Sequence, residues 1–202
     1  MTALPEPTQN GFPWEIPDHL LSIEEYAALG ETESGFTELV AGRLVTSPSP
    51  TRRHNKAAYR FAAALEAQLP PEFDVNLDLD LDLGFAPPGE AGYSRQPDVM
   101  VTYRSANERV DRDSALFRAT EAVLVIEIVS PGSKRTDYVT KHDEYADAGI
   151  PFYWILDLDE PVSLVACHQA GELGYQDAPA VTGIFTTTEP FPIKIDLPDL
   201  TG

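Results

Sequence analysis

Residues 122–130 constrain the fold more than any other segment of this chain. Their sequence, AVLVIEIVS, is apolar on both faces of an extended strand apart from Glu127. Strands that are apolar on both faces are typical of the middle of a sheet that helices cover on each side. The segment therefore predicts a central strand in an α/β fold, with one carboxylate in its interior.

Strand and helix patterns alternate around this segment. Residues 137–148 have helical character and end at Gly149, a left-handed cap, before the apolar strand 152–156. Residues 122–156 are thus the size of a βαβ unit. Periodicity and caps predict further helices over 22–29 and 51–69, a strand over 36–46 that turns at 41–42, and strands over 75–83, 98–103, 162–167 and 183–195, with a polar excursion between 103 and 120.

The domain organisation follows from length and composition. A chain of 202 residues is the size of one domain, and neither repeats nor a low-complexity linker divide it. We expect a flexible N-terminal arm over 1–19, which is rich in proline and polar residues. The rest, 20–202, is expected to be a single α/β domain, a mixed β-sheet flanked by helices.

Composition excludes several kinds of protein. Cys167 is the single cysteine, which excludes an internal disulfide framework and every zinc site with several cysteines. The adjacent His168 would point to the opposite face of a strand, so the pair makes a poor nucleophile and base. Residues 1–12 have neither a basic start nor an apolar run, and no apolar stretch approaches about 20 residues. We therefore expect a soluble, cytoplasmic protein with no membrane contact.

The strand over 75–83 alternates strictly between leucine or valine and polar residues. Asp78, Asp80 and Asp82 would line one face of it. A calcium site is disfavoured, because the acids follow a strand rather than a loop and the glycine pattern of an EF-hand is absent. The pattern favours a charged strand face that discourages edge pairing.

The formal net charge of −19 opposes a nucleic-acid substrate, because phosphate binding normally uses a basic surface. The excess of acids over bases, however, falls in residues 1–50 and 143–202, and residues 51–142 are nearly neutral. Half of the lysines and arginines fall in two short segments: Arg52, Arg53, Lys56, Arg60, and Lys134, Arg135, Lys141. If the fold joins these segments, a local basic rim forms on an acidic body.

Three residues carry the candidate chemistry. Burying Glu127 without a cation, a proton or strong donors would cost several kcal/mol, so it forms either a structural ion pair or part of a site. Asp98 starts a second apolar strand, and if the two strands are neighbours their carboxylates can share a divalent ion. Oxygen ligands suit Mg²⁺ or Mn²⁺. Lys141, on the following helix, either pairs with Asp137 on a solvated face or points towards a phosphate.

At this point the chain resembles a known family. The motifs that carry the resemblance are Pro97-Asp98, Glu127-Ile128-Val129-Ser130-Pro131, Asp137-x3-Lys141-x3-Tyr145, residues 149–157, Glu38 with Gly42, and His54-Asn55. In this order they resemble the putative restriction endonuclease family of the PD-(D/E)XK nuclease superfamily, over residues 20–195. The resemblance implies a restriction-endonuclease-like fold and a metal-dependent endonuclease that hydrolyses nucleic acid, with DNA as the expected partner.

The resemblance also implies roles for individual residues. Asp98, Glu127 and the backbone carbonyl of Ile128 would bind Mg²⁺, with Mn²⁺ as the alternative. The superfamily pattern expects a lysine at position 129, where this chain has valine. Related nucleases place that lysine on the next helix, which here gives Lys141, with Lys134 as the second choice.

The resemblance extends to the surroundings of the metal. Glu38 would add an acid to the metal pocket, and His54 would line it; a solvent-facing strand residue and a helix cap are their alternative interpretations. Arg53, His54, Lys134 and Arg135 would contact the substrate.

Two other functions remain open from the sequence. The missing lysine at 129 and the negative charge favour a catalytically inactive binding or regulatory module on the same fold. A structural, dimer-forming protein would use Phe152, Tyr153 and Trp154 at an exposed surface, and a homodimer is also a candidate assembly for the enzyme. A core position for these aromatic residues is the first expectation.

Overall fold

The computed structural model describes residues 18–30, 37–46 and 49–202, so the predicted arm over 1–19 lies outside the described residues except for its last two. The described chain forms four α-helices: α1 Ile23–Leu29, α2 Arg52–Glu66, α3 Arg104–Asp113 and α4 Lys141–Asp147. A π-helical segment, Thr136–Thr140, precedes α4, and short 3₁₀ segments cover Ala119–Glu121, Gly171–Leu173 and Pro198–Leu200. Among the described residues, no helix is both long and apolar enough to cross a membrane.

The strands in chain order are β1 Thr37–Val40, β2 Arg43–Thr46, β3 Phe73–Leu77, β4 Leu81–Asp82, β5 Ser94–Arg95, β6 Val99–Tyr103, β7 Phe117–Arg118, β8 Ala122–Val129, β9 Phe152–Asp157, β10 Ser163–Gln169, β11 Tyr175–Asp177, β12 Val181–Thr182, β13 Ile184–Thr187 and β14 Ile193–Asp196. The main sheet has the order β11-β10-β9-β8-β6-β3, with β12 beside β10. A second sheet has the order β2-β1-β5-β4-β7, and β13 pairs with β14.

The predicted central strand is confirmed. Every residue of β8 is buried, and β8 lies inside the main sheet between β6 and β9. It runs parallel to β9 and antiparallel to β6, which makes the sheet mixed. The α/β fold, a mixed β-sheet flanked by helices in a single domain, is therefore as expected.

Alternate residues of β8 enter two cores on opposite faces of the main sheet, as the pleat of a strand requires. Ile126 and Ile128 pack with α2 and with the β13–β14 hairpin. Val125 and Val129 pack on the other face with α4. Tyr153 and Trp154 are 0% and 1% exposed in these two cores, so the interpretation of this segment as an exposed dimer surface is wrong.

The expectation of one continuous strand over 75–83 is also wrong. The chain leaves the main sheet after β3 and enters the second sheet at β4. Asp78 adopts a left-handed conformation with φ of 51°, which aspartate tolerates better than most residues. Leu77 and Leu79 are exposed as a result, whereas Leu81 is fully buried.

Two further predictions need correction. The polar excursion after 103 contains α3, whose single buried residue, Ala106, leaves almost no apolar stripe for periodicity to detect. The strand predicted over 183–195 is the hairpin of β13 and β14. The predicted turn at 41–42 joins β1 to β2, and the helix predicted over 22–29 is α1, which a capping box at Ser22 begins, so both are confirmed.

Candidate active site

A cleft of about 480 Å³ lies where the second sheet, α2 and α4 meet the edge of β8. It contains most of the polar side chains singled out from the sequence. The charged or polar residues among those that line it include Glu38, His54, Asp78, Arg95, Gln96, Asp98, Glu127, Ser133, Asp137 and Lys141, together with Ile128. The cleft therefore joins positions that are more than 100 residues apart in the chain.

Glu127 lies on β8, and Asp98 directly precedes the neighbouring strand β6. Val99 on β6 pairs with Ile126 on β8, and extending this antiparallel register by one position places Asp98 opposite Glu127. Residues opposite each other in such a pair share a face of the sheet, with Cβ atoms about 5 Å apart. Both carboxylates line the cleft, so the convergence required of the two acids is met by the strand register.

The backbone of Ile128, next to Glu127 on β8, is not paired with a residue of β6. Because β6 starts at Val99, it has no residue opposite Ile128 that could accept or donate a ladder hydrogen bond. The Ile128 N–H instead donates to Asp98 Oδ2 at 2.5 Å. The Ile128 carbonyl oxygen lies 3.1 Å from His54 Nε2, which is also 3.3 Å from Asp98 Oδ1.

His54 lies in the first turn of α2, where Thr51 rather than His54 caps the helix. Both neighbours of its Nε2 are oxygen acceptors, so Nε2 carries a hydrogen that it donates to them. Burial opposes protonation of the ring, but the hydrogen bond and charge of Asp98 outweigh it and raise the pKa of His54. The histidine therefore places a positively polarised group against two oxygens that the family resemblance assigns to a metal.

Lys141 is buried in the cleft rather than on a solvated face. Its Nζ lies 2.9 Å from Glu127 Oε1 and 3.0 Å from Glu38 Oε1. The hydroxyl of Tyr145, one turn further along α4, donates to the same Glu127 oxygen at 2.7 Å. Both side-chain hydrogen bonds that the structure gives Glu127 thus use Oε1.

Glu38 and Arg95 extend this chain of charges. Glu38 Oε2 accepts from Arg95 Nη1 at 2.6 Å, and Arg95 makes two further hydrogen bonds, of 2.7 and 2.8 Å, to Glu144. Glu38 is therefore buried at the site and is not a solvent-facing strand residue. Sequence reasoning missed Arg95, because its polar neighbours Ser94 and Gln96 give no sign that it is buried.

The cleft has more carboxyl groups than basic side chains. Burial raises the pKa of Glu127 to about 8, with the charge of Asp98 adding to the rise and that of Lys141 opposing it. Burial also raises the pKa of Asp137 to about 6. Burial alone would lower the pKa of Lys141, but its carboxylate neighbours raise it above the usual value. A divalent cation would offset this excess of carboxylates, and oxygen donors of this kind fit Mg²⁺ or Mn²⁺.

Residues next to parts of the two basic segments line the cleft. Thr51 and His54 line it, as do Ser133 and Thr136, and Arg53, Lys134 and Arg135 are neighbours of these residues in the chain. Lys56 and Arg60 of the first segment instead contact the carbonyl oxygen of Gly202. Arg53 pairs with Glu160 at 2.5 Å and Lys134 with Asp157 at 2.8 Å. Arg135 is exposed. Asp78, which the sequence suggested only as part of a charged strand face, lines the cleft because the chain bends there.

Comparison with known proteins shows which family the chain belongs to. The structure resembles the crystal structure of a protein described as a putative nuclease belonging to DUF820 from Anabaena variabilis ATCC 29413, with a TM-score of 0.66 and 19% sequence identity. The match covers 90% of this chain and 97% of that one, which establishes the shared fold. Comparison with curated proteins gives no match. The sequence profile of the Uma2 family, described as "Putative restriction endonuclease", matches residues 23–198. That match also supports a nuclease-like function. Because it spans most of the chain, the protein belongs to the Uma2 putative restriction endonuclease family.

Proposed function

We propose that the protein is a metal-dependent endonuclease that hydrolyses phosphodiester bonds of nucleic acid, with DNA as the substrate. The observation that carries the proposal is the placement of Asp98 opposite Glu127, in one cleft with the buried ammonium of Lys141. Two carboxylates and a cationic side chain are what hydrolysis of a phosphodiester with one metal ion requires.

The proposed cofactor is Mg²⁺, with Mn²⁺ able to replace it. Asp98, Oε2 of Glu127 and the carbonyl oxygen of Ile128 would hold the ion, all of them hard oxygen ligands. When bound, the ion would polarise the phosphate and lower the pKa of a bound water.

Lys141 and Glu38 act as a unit in this proposal. Lys141 orients the attacking water or offsets the negative charge that grows on the phosphate. Glu38 holds the Lys141 ammonium in place, and Arg95 holds Glu38. Glu38 could also bind the ion directly, but it would then give up one of these contacts.

His54 is proposed to contact the substrate. Its Nε2 now donates to the oxygens of Asp98 and Ile128 that would bind the ion. Binding of the metal ion in the cleft would release this N–H, which would then be able to donate to a phosphate oxygen.

The rim residues are proposed to bind the nucleic-acid backbone. Arg53, Lys134 and Arg135 are next in sequence to residues that line the cleft, and guanidinium and ammonium groups are the usual phosphate contacts. Arg53 and Lys134 would exchange Glu160 and Asp157 for phosphates, which makes their contribution dependent on salt.

A cleavage assay tests the proposal. Double-stranded DNA, single-stranded DNA and RNA are incubated with wild-type protein, Asp98→Asn and Glu127→Gln, each with Mg²⁺ or Mn²⁺ and with a chelator. We expect cleavage of DNA by the wild type that the chelator stops, and a loss of about 10³-fold or more in each variant. Asp111→Asn, an exposed substitution on α3, is the matched control. Cleavage that survives both variants would overturn the assignment.

The second candidate is a catalytically inactive binding module on the same fold, which binds nucleic acid without cleaving it. Val129 in place of a lysine and the net charge of −19 favour it. It predicts that fluorescence anisotropy detects DNA binding by the wild type while no substrate is cut with either metal. Burial of Tyr153 and Trp154 removes the observation that motivated a purely structural protein.

A further inference from the structure

A second group of potential metal ligands lies outside the cleft. His142 on α4, Cys167 on β10 and Asp177 on β11 bring one nitrogen, one sulfur and one carboxylate oxygen within 4.8 Å of one another. None of the three lines the nuclease cleft. The proposed nuclease chemistry makes no use of them.

The fold itself brings these side chains together. Cys167 pairs with Asp177 across the antiparallel β10–β11 ladder, so their side chains share one face of the sheet. His142 projects from the first turn of α4 onto that face. Its ring packs edge-on against Tyr175, with ring centres 5.3 Å apart, which restricts its orientation.

The contacts of His142 match those of a metal-binding histidine. Its Nδ1 lies 3.3 Å from Asp143 Oδ1, and its Nε2 lies 2.9 Å from Asp177 Oδ1. A carboxylate that accepts from one ring nitrogen fixes the tautomer in which the other nitrogen is free to bind a metal. Asp143 would have this supporting role once Nε2 turned from Asp177 to an ion.

The donor set selects the kind of metal. A thiolate and an imidazole with a single carboxylate suit Zn²⁺, whereas Mg²⁺ prefers oxygen ligands alone. Cys167 is 1% exposed, but the side chain of Asp177 is 54% exposed, so an ion can enter from the Asp177 side. A water entering the same way can complete a tetrahedral shell.

We propose that His142, Cys167 and Asp177 form a Zn²⁺ site that is separate from the nuclease cleft. Binding releases the thiol proton of Cys167 to solvent and links α4 to β10 and β11. Since Lys141 precedes His142 on α4, the ion would stabilise the helix that carries the cationic group of the cleft. The proposal does not depend on the proposed nuclease function.

Titration of the metal-free, reduced full-length protein with Co²⁺ tests the site. The chain has one cysteine, so a thiolate-to-cobalt charge-transfer band can arise only from Cys167. We expect this band to saturate at one ion per chain, to be bleached by one equivalent of Zn²⁺ and to persist in excess Mg²⁺. Zn²⁺ should also raise the melting temperature.

Variants separate a built site from a thiol that binds metal by itself. Cys167→Ser should abolish the band, and His142→Gln and Asp177→Asn should each weaken Co²⁺ binding by about tenfold or more. His168→Gln is the matched control, since that side chain points to the opposite face of β10. Asp98→Asn, which alters the cleft, should leave the band intact.

Two results would overturn the proposal. One is no charge-transfer band at saturating Co²⁺ in protein whose circular dichroism is native. The other is a band that is unchanged in both His142→Gln and Asp177→Asn. Because Asp177 is exposed, its variant is expected to fold and keeps the test decisive even if Cys167→Ser is unstable.

Discussion

Lys141 is the cationic group that two buried carboxylates share, because its ammonium contacts Glu38 and Glu127 together. Lys141→Met leaves both buried carboxylates without their shared cation. We expect a stability loss of about 3 kcal/mol in urea denaturation and a loss of DNA cleavage of at least about 100-fold.

Lys194→Met provides the control, because Lys194 is exposed on β14. The double variant Lys141→Met/Glu127→Gln should regain part of the lost stability, because the Glu127 carboxylate that Lys141→Met leaves unpaired is removed as well. Equal stability losses in Lys141→Met and Lys194→Met would contradict the ion-pair role.

Asp80 gives a prediction about pH. Tyr26 donates to the carbonyl oxygen of Thr37 at 2.6 Å and lies 2.8 Å from Asp80 Oδ1, so one hydroxyl proton faces two acceptors. Burial raises the pKa of Asp80 from 3.8 to about 6. The stability gained from protonating the Asp80 carboxyl is present below about pH 4 and is lost as the pH rises through about 6.

Asp80→Asn removes that loss. We expect the variant to be more stable than the wild type by about 3 kcal/mol at pH 8, with the difference shrinking towards pH 4. Urea denaturation at several pH values measures it, with Asp111→Asn as the exposed control. A difference that does not vary with pH would count against the raised pKa.

At this scale the sequence predicted the members of the site better than their contacts. Asp98, Glu127 and Lys141 were recognisable because burial or family motifs single them out, and the structure brings them into one cleft. Arg95 and Asp78 were not, since one depends on burial among polar neighbours and the other on a bend in a strand. Neither property leaves a periodic signal in the sequence.

The β1–β2 hairpin carries Glu38 to the cleft, and Gly42 fixes the hairpin to its surroundings. Gly42 has φ of 74°, and an added Cβ would lie 2.7 Å from the Cβ of Leu20. Its N–H donates to the Gly92 carbonyl at 2.9 Å, and its own carbonyl accepts from Leu21 N–H at 2.8 Å. These backbone contacts leave no room for a side chain.

Gly42→Ala should therefore destabilise the protein by about 2 kcal/mol, from backbone strain and close contact together. Thermal or urea denaturation measures the loss. Gly132→Ala is the control, because a Cβ there would meet nothing within 4 Å. A Gly42→Ala variant as stable as Gly132→Ala would show that the hairpin can shift freely.

Elements with a buried apolar face were predicted well, and those without one were not. The strong patterns of β8, β9 and α2 gave their type and order, because burial imposes periods of 2 and 3.6 on the sequence. Helix α3 buries almost nothing, and the break at Asp78 replaces one strand by two in different sheets. The π-helical turn before α4 has no signature in the sequence, so the segment 137–148 was predicted as a regular helix.

At the scale of the whole molecule, the net charge of −19 opposes binding of nucleic acid, so the proposed substrate would have to be attracted locally. Each phosphate contact at the rim therefore counts against a repulsive background. Arg135→Glu, made in the Glu127→Gln background to prevent cleavage, should weaken DNA binding by about tenfold. It should also reduce the slope of the logarithm of the binding constant against the logarithm of the salt concentration by about one.

Fluorescence anisotropy over a range of salt concentrations measures this effect. Arg112→Glu makes the same change of charge on α3, away from the cleft, and is the control. Equal weakening by both substitutions would show that net charge, and not the rim, determines binding.

The proposed activity depends on one cation held between β6 and β8. Diffraction from wild-type crystals soaked in Mn²⁺, recorded at a wavelength where manganese scatters anomalously, locates that ion independently of turnover. We predict an anomalous peak within coordination distance of Asp98, Glu127 and the carbonyl oxygen of Ile128, with His54 Nε2 moved away from the two oxygens it now contacts. Saturating Mn²⁺ with these residues placed as here and no peak between them would contradict the proposed function.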